Sequence, residues 1–214
     1  MHPNPIFHSH SAQANLAFAR KMGFGVLAVA AAGAGDGAGA PHLSHVPFVL
    51  DDDGTAWLHL VRSNPIARAL TTPLPAKIAV SGPDAYISPD WYGVPDQVPT
   101  WNYVAVHLTG TLGLLPQADL PALLHRQSQH FEARLAPKPP WLPDKMTPET
   151  LTGMMRQIVP CRFDCTKIDG TWKLSQNKPD AVRHAAAAAL GASGTDPGAK
   201  AMADLMRAPP TRGA

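Results

Sequence analysis

Residues 82–103, GPDAYISPDWYGVPDQVPTWNY, contain all three tyrosines of the chain, two of its five tryptophans and four prolines. Solvated loops are usually built from small polar residues, whereas large rings with polar tips line pockets or interfaces. Prolines fix the backbone. The stretch therefore predicts a stiff aromatic connection that closes over a flat ligand or over a second subunit. The alternative is a packed loop that serves stability alone.

The composition is that of an ordinary globular protein and gives no sign of a highly charged binding partner. The 214 residues are 45% hydrophobic and 16% charged, with a formal net charge of +2, which fits one domain or one domain with a helical attachment. No Lys/Arg cluster is dense enough for a nucleic-acid patch, and no apolar run is long enough to cross a bilayer. With no secretory signal pattern and only two cysteines, we expect a soluble cytoplasmic protein with reduced thiols.

The predicted strands follow one another mostly as hairpins and a meander. Two of them, at 159–168 and 171–174, are expected to form a hairpin around Asp169 and Gly170. No parallel strand–helix–strand unit is indicated. The order favours a mainly β, antiparallel barrel or sandwich with peripheral helices, with strands expected at 26–31, 43–50, 55–60, 77–81, 103–115, 159–168 and 171–174.

Two segments join a strand to a helix start and carry polar side chains. One is residues 59–65, where His59 precedes Arg62, Ser63 and Asn64. The other is residues 173–177, with Lys173 as its cation. Helix starts offer unpaired N–H groups, and cationic side chains bind anions beside them. We expect the two segments to hold one anionic ligand from two sides, and simple helix capping is the alternative.

Histidines and polar strand residues give weaker signals. Ser44 and His45 interrupt an apolar strand beside Pro47, which favours an edge strand whose backbone binds a ligand or, more simply, a half-exposed strand. The ten histidines show no HxH or HExxH spacing, and no CxxC is present, so no metal site is predicted.

Six blocks together resemble the PaiB-type family of FMN-binding negative transcriptional regulators. They occur in the family's order and, with the intervening sequence, the resemblance covers residues 1 to about 190. It implies an antiparallel FMN-binding split barrel of the pyridoxamine-phosphate-oxidase-like flavoprotein group, whose members are usually homodimers with two FMN sites in the interface. The blocks are residues 44–48, 59–65, 82–89, 91–92, 98–103 and 173–177.

The same resemblance implies a domain plan and a set of cofactor-binding residues. The plan is one domain over residues 1–190, with a helical insertion around 117–157 and a flexible tail at 191–214. Residues 44–47 would lie along the isoalloxazine, and residues 62–64 would face the phosphate. Residues 101–103 would shape the flavin pocket or the dimer contact. Lys173 and residues 175–177 would reach the cofactor from the same or from the second subunit. The full set is Ser44, His45, Val46, Pro47, His59, Arg62, Ser63, Asn64, Trp101, Asn102, Tyr103, Lys173, Ser175, Gln176 and Asn177.

Three functions are consistent with this resemblance. The first is a homodimeric FMN-binding regulator, although the nearly balanced charge gives little support for direct DNA contact. The second is an FMN-dependent oxidoreductase or flavin reductase, in which the flavin carries the redox chemistry. No residue is marked as a catalytic acid or base, and His45, His107 and Tyr103 qualify only if they lie near the ring. The third is a haem-binding split barrel.

Overall fold

The computed structural model describes residues 1–8, 10–31, 39–194 and 198–210. These residues form seven strands and six α-helices, together with several short 3₁₀ turns. The strands are β1 (Phe24–Val29), β2 (His42–Pro47), β3 (Val49–Leu50), β4 (Thr55–Val61), β5 (Leu74–Ile87), β6 (Thr100–Leu114) and β7 (Ile158–Lys173). The helices are α1 (Ala12–Met22), α2 (Pro65–Ala69), α3 (Leu120–Glu132), α4 (Pro148–Met155), α5 (Asp180–Ser193) and α6 (Ala199–Arg207).

The strands form one open sheet in the order β2-β1-β5-β6-β7-β4-β3. β1 pairs antiparallel with β2 and β5, placing Val26 opposite His45 on one side and Ala79 on the other. β4 pairs antiparallel with β3 and β7. The predicted fold class, mainly β with an antiparallel split-barrel sheet and peripheral helices, is confirmed.

The aromatic connection is shorter than the sequence predicted. β5 continues to Ile87 and β6 begins at Thr100, so only residues 88–99 connect the strands. The strand expected at 77–81 thus continues through Gly82, where a Cβ would meet the Phe18 ring at 2.6 Å. The glycine therefore lets an aromatic ring approach a continuing strand, and the alternation of buried Ala85 with exposed Tyr86 is the pattern of that strand.

The predicted hairpin at Asp169 and Gly170 is wrong, because β7 runs through both residues without a turn. A Cβ at Gly170 would lie 2.1 Å from the side-chain oxygen of Asn15. That oxygen accepts a hydrogen bond from Trp172 Nε1 at 2.8 Å. Gly170 therefore allows the buried Asn15 amide to pack closely against the strand. In a sequence, a glycine used in this way looks the same as a glycine in a turn.

The chain divides into two compact units, and β5, β6 and β7 contribute residues to both. Unit 1 comprises Met1–Phe18, Ser81–His107 and Ile168–Ala214, and unit 2 comprises Ala19–Val80 and Leu108–Lys167. The core of unit 1 joins Ile87 at the end of β5 and Leu174, just after β7, to the helices α5 and α6. In unit 2, Phe48, Leu58, Ile66 and Phe163 are almost completely buried.

Part of the region predicted to be a flexible tail is helical. α6 buries Ala199, Met202, Ala203 and Met206 within the unit 1 core. These residues recur at intervals of three and four, the spacing of one helix face, but the surrounding glycine, alanine and proline obscured that period. Residues 195–197 and 211–214 of the predicted tail lie outside the described residues. No helix in the described part of the chain is long and apolar enough to cross a membrane.

Gly110 in β6 permits close approach of β7. A Cβ at this position would lie 2.0 Å from the backbone oxygen of Asp164, so Gly110→Ala must displace one strand. We expect the substitution to lower the free energy of unfolding by about 1–3 kcal/mol, as overpacked positions do. Chemical denaturation monitored by tryptophan fluorescence measures the loss.

The matched control is Gly153→Ala in α4, where a Cβ would meet no atom within 4 Å. Alanine favours a helix over glycine, so this variant should be as stable as the parent or slightly more stable. Equal stability of the two variants would contradict the close approach at Gly110.

Candidate functional site

Unit 1 contains a polar cavity of about 250 Å³ beside the end of β7. Its walls come from the N-terminal segment, the connection before β6, β6 itself and the turn after β7. None of the described residues that line it is acidic. They are His2, Asn4, Phe7, Tyr92, Val98, Thr100, Asn102, Lys173, Ser175, Asn177 and Lys178.

A buried hydroxyl holds the floor of this cavity together. Ser175 is 3% exposed and has a left-handed φ of 60°, a conformation that non-glycine residues seldom adopt and that concentrates at functional sites. Its Oγ accepts from Asn102 Nδ2 at 2.9 Å and lies 3.1 Å from Tyr92 Oη. The network fixes three polar side chains from three separate segments around one point.

The second amide atom of Asn102 has no partner among the described residues. Asn102 is completely buried, and its Oδ1 makes no hydrogen bond. An unsatisfied buried acceptor costs about 1–3 kcal/mol. Because Asn102 lines the cavity, this oxygen is suited to accept a hydrogen bond from a ligand that presents an N–H or O–H group.

Two lysines make the cavity electropositive. Lys173 Nζ donates to Thr100 Oγ1, and burial holds the pKa of Lys173 below its usual value. Lys178 Nζ donates to Gln97 Oε1 and lies 5.3 Å from the centroid of the Tyr92 ring. Neither lysine forms an ion pair with a carboxylate in the part of the chain that the structure describes, so both charges are available to an anionic group.

A larger, open cavity of about 470 Å³ in unit 2 has a different character. Its two guanidinium groups are already paired, Arg126 with Asp51 and Arg20 with Asp52. His130 also lines it, and burial, followed by the nearby Arg134 charge, lowers the pKa of this imidazole. Since its charges neutralise one another, this cavity offers an anion less than the cavity of unit 1 does.

The sequence-predicted residues of unit 2 form mostly internal contacts. Asn64 Oδ1 caps α2 by accepting from Ile66 N at 2.9 Å, and its Nδ2 donates to Ser44 Oγ at 3.1 Å. Arg62 donates through Nε to the Arg156 carbonyl at 3.1 Å, and through Nη2 to two further acceptors. The structure thus brings Ser44 and Asn64 together. The Arg62 guanidinium forms hydrogen bonds with residues that precede and follow α4 in the sequence.

The remaining predicted residues of unit 2 are dispersed. His59 Nδ1 lies 2.8 Å from Gln127 Oε1. His45 is exposed and stacks on Phe24, with ring centroids 6.3 Å apart. Val46 is buried, and Pro47 and Ser63 are exposed.

In unit 1 the structure brings four predicted residues to one cavity: Asn102, Lys173, Ser175 and Asn177. Gln176 instead bonds to backbone groups, accepting from Leu174 N at 2.7 Å. Trp101 and Tyr103 alternate with Asn102 along β6 and so project to the other face of the strand.

Sequence reasoning missed several lining residues. His2, Asn4 and Phe7 precede α1, and nothing in their sequence pattern connects them with residues about 170 positions away. Thr100 and Tyr92 lie within the family-like blocks but carried no assigned role. Lys178 directly follows the block at 173–177 and also carried no assigned role.

Metal and thiol chemistry find no support in the described residues. No group of three or more His, Cys, Asp or Glu side chains there is arranged to hold a metal ion. Burial raises the pKa of the Cys161 thiol to about 12, so this thiol stays protonated at neutral pH and is a poor nucleophile. Burial also raises the pKa of Cys165.

Comparison with known proteins identifies relatives over most of the chain. Residues 1–167 match the family model described as "Putative FMN-binding domain". The chain is 31% identical over 171 residues to "Protease synthase and sporulation protein PAI 2" of Bacillus subtilis, covering 78% of this chain and 81% of that protein.

Two solved structures share the fold. The FAD and haem binding protein from Mycobacterium smegmatis superposes with a TM-score of 0.53 at 15% identity, covering 76% of this chain and 71% of its own. The conserved hypothetical protein Rv2991 from Mycobacterium tuberculosis gives a TM-score of 0.51 at 19% identity, covering 79% and 89%.

The unpaired Asn102 oxygen leads to a prediction about the stability of the ligand-free protein. Asn102→Leu loses one hydrogen bond to Ser175 but also removes the buried unsatisfied acceptor, and these effects oppose each other. We expect the free energy of unfolding to change by less than about 1 kcal/mol, as measured by urea denaturation.

Asn15→Leu is the matched control in the same unit. Asn15 is equally buried, but its Oδ1 is paired with Trp172 Nε1 and packs on Gly170. This substitution leaves a buried indole N–H unpaired and should cost about 1–3 kcal/mol or more. A similarly large cost for Asn102→Leu would show that its oxygen is satisfied in solution.

Proposed function

From the premise that the chain belongs to the family of FMN-binding domains, we propose that the cavity of unit 1 holds part of its FMN cofactor. The resemblance to the PaiB-type family and the prediction of FMN as cofactor are confirmed by the family match and by the Bacillus relative. The cavity assignment rests on the buried Asn102 oxygen that lacks a donor.

The donor and acceptor set of the cavity fits FMN. Its isoalloxazine carries an N–H donor between carbonyl oxygens, and its phosphate is an anion with three acceptor oxygens. The cavity offers an unpaired acceptor at Asn102 and two lysines without carboxylate partners among the described residues. Each complements a group that FMN presents.

The size of the cavity limits how much of FMN it takes. Pockets that enclose a whole small ligand measure about 300–1,000 Å³, and this one measures about 250 Å³. We therefore assign one end of FMN to the cavity. The other residues implied by the family resemblance stay predictions for the rest of the cofactor: Ser44, His45, Val46, Pro47, His59, Arg62, Ser63, Asn64, Trp101, Tyr103 and Gln176.

When bound, FMN supplies hydride- and electron-transfer chemistry. The residues of unit 1 bind and orient it. Asn102, which Ser175 and Tyr92 hold in place, would accept a hydrogen bond from FMN, and Lys173 would supply positive charge to its anionic group. Phe7 contributes a buried apolar part of the wall.

We further propose that the protein works as a homodimeric regulator in the cytoplasm. Family membership supports the regulatory role. An exposed aromatic pair supports the dimer: Tyr86 and Trp101 are 47% and 53% exposed, with ring centroids 6.2 Å apart. Exposed aromatic patches commonly mark interaction sites.

The net charge of +2 gives little electrostatic support for direct DNA contact. The oxidoreductase alternative predicts flavin-dependent oxidation of a reduced nicotinamide cofactor without DNA. Binding to promoter DNA that weakens steeply with salt would favour the regulator, and turnover without such binding would favour the oxidoreductase.

Lys173→Met tests the cofactor site. We expect FMN affinity to fall at least ten-fold, equivalent to about 1.4 kcal/mol, because a charge-assisted contact is removed. Titration of FMN followed by flavin fluorescence measures the dissociation constant. Parallel titration with riboflavin, which lacks the phosphate, identifies the bound end: unchanged riboflavin affinity assigns the phosphate to Lys173, and an equal loss assigns the ring.

The control is Lys200→Met on α6, an exposed lysine of the same unit that does not line the cavity. It should bind FMN as the parent does. If Lys173→Met and Lys200→Met bind FMN with parental affinity, the cavity is not the cofactor site.

Tyr86→Glu tests the dimer surface. A charge within the exposed pair should raise the dimer dissociation constant at least ten-fold in sedimentation equilibrium, because it would be desolvated in the interface. Leu135→Glu, at a comparably exposed apolar residue of unit 2, should leave assembly unchanged. A dimer unaffected by Tyr86→Glu would exclude this patch from the interface.

A further inference from the structure

Residues 93–99, which we call the rim, reach the unit 1 cavity from the connection before β6. Val98 lines the cavity and is nevertheless 74% exposed, so it lies where the cavity meets solvent. Gln97 Nε2 donates to the Pro95 carbonyl at 3.0 Å, while Gln97 Oε1 accepts from Lys178 Nζ. Both ends of the Gln97 amide are therefore engaged, and its oxygen is directed to the Lys178 ammonium.

Lys178 is held in place from three sides in the ligand-free protein. Its backbone N–H donates to the Ser175 carbonyl at 3.0 Å. Its ammonium donates to Gln97 and lies 5.3 Å from the centroid of the Tyr92 ring, within the range of a cation–π contact. Tyr92 is itself joined to Ser175, with its Oη 3.1 Å from Ser175 Oγ. The charge of Lys178 is thus placed at the cavity wall before a ligand arrives.

None of these contacts neutralises Lys178. The Gln97 amide and the Tyr92 ring carry no net charge. The carboxylate of Asp180, two positions further along the chain, accepts instead from Arg183 Nη1 at 2.8 Å. An ammonium forms a stronger hydrogen bond with an anionic oxygen than with an amide oxygen. An anionic ligand group can therefore replace Gln97 Oε1, whereas a neutral carbonyl gains little by doing so.

The side chains of the cavity favour the phosphate end of FMN over its ring. Most of them are polar, and the apolar surface comes chiefly from Phe7, Tyr92 and Val98. A tricyclic ring needs a predominantly hydrophobic and aromatic pocket. A phosphate monoester carries about −1.5 to −2 charges at neutral pH, which the two lysines balance. The ribityl hydroxyls beside the phosphate are donors that suit the unpaired Asn102 oxygen.

We propose that the unit 1 cavity takes the phosphate end of FMN, that Lys178 binds the phosphate directly, and that Gln97 is a positioning residue which holds the ammonium until the phosphate replaces it. The inference rests on the proposed function, in which the cavity holds one end of FMN. The site then recognises a phosphate monoester and discriminates FMN from riboflavin.

This assignment differs from the one that the family resemblance implies, in which residues 62–64 face the phosphate. In unit 2 the Arg62 guanidinium already donates to Gln117 Oε1 and to two backbone carbonyls. These bonds leave it less available to an anion than Lys178, whose single hydrogen-bond acceptor is an amide oxygen.

Lys178→Met tests the phosphate contact. The dissociation constant of FMN should rise at least ten-fold, because a charge-assisted contact is lost, while that of riboflavin should change by less than about two-fold. Lys178→Arg keeps the charge and should bind FMN more tightly than Lys178→Met. Arg62→Met is the comparison: a loss specific to FMN in that variant, with none in Lys178→Met, would overturn the proposal. An equal loss of FMN and riboflavin in Lys178→Met would also overturn it.

Two substitutions of Gln97 should act in opposite directions. Gln97→Glu gives Lys178 a carboxylate partner and repels the phosphate, so FMN should bind at least ten-fold more weakly. Gln97→Leu removes the competing acceptor, so FMN should bind at least as tightly as to the parent. A purely structural role for Gln97 predicts the reverse, since leucine loses both hydrogen bonds and glutamate keeps the shape of glutamine.

The matched control is Gln13→Glu on α1, which adds the same charge to an exposed glutamine of unit 1 that does not line the cavity. It should bind FMN as the parent does. Parental affinity in Gln97→Glu, or an equal loss in Gln97→Glu and Gln97→Leu, would contradict the role of Gln97.

A probe without flavin separates this inference from the proposed function. In ¹H–¹⁵N spectra of the ¹⁵N-labelled protein, D-ribose 5-phosphate should shift the amide signals of residues 175–178, and D-ribose should not. The shifts should be weaker in Lys178→Met at the same concentration of the probe. Such shifts in a protein that binds no FMN would refute the proposed function and leave the phosphate site standing. If FMN binds and Lys173→Met weakens it, but the sugar phosphate leaves these signals unchanged, the inference alone fails.

Discussion

The hydroxyl of Ser175 is the constraint on which the rest of unit 1's site depends. It lies in the turn after β7, with a left-handed backbone, and binds side chains from β6 and from the connection before it. Asn102 donates to this hydroxyl through Nδ2, and its Oδ1 has no hydrogen-bond partner among the described residues. The same turn brings Lys173 and Asn177 to the cavity wall.

The arrangement is destabilising in the ligand-free protein. A strained backbone residue and an unsatisfied buried acceptor each cost on the order of 1–3 kcal/mol, and burial lowers the pKa of Lys173. A ligand with a donor and an anionic group relieves the last two without any movement of the network. Sites that give up stability in this way are preorganised, because the binding groups are held in place before the ligand arrives.

Sequence reasoning identified the family, the antiparallel fold and four residues that line the cavity, because these are properties of local patterns. It failed where a glycine serves long-range packing. The predicted strands ended before Gly82 and before Gly170, yet each glycine makes room for a side chain of the first eighteen residues. The contact between His8 and Gly170 was missed because the two residues are 162 positions apart and no local period connects them. The buried residues of α6 recur with helical spacing in the sequence, but alanine-rich neighbours obscured this pattern.

A crystal structure of the protein grown with FMN tests the central claim most directly. The account predicts flavin density in the unit 1 cavity, with a ligand atom in contact with Lys173 Nζ and a donor within hydrogen-bond distance of Asn102 Oδ1 or of a ligand-ordered water bound to it. FMN bound elsewhere on the chain, with the cavity filled only by solvent, would contradict it.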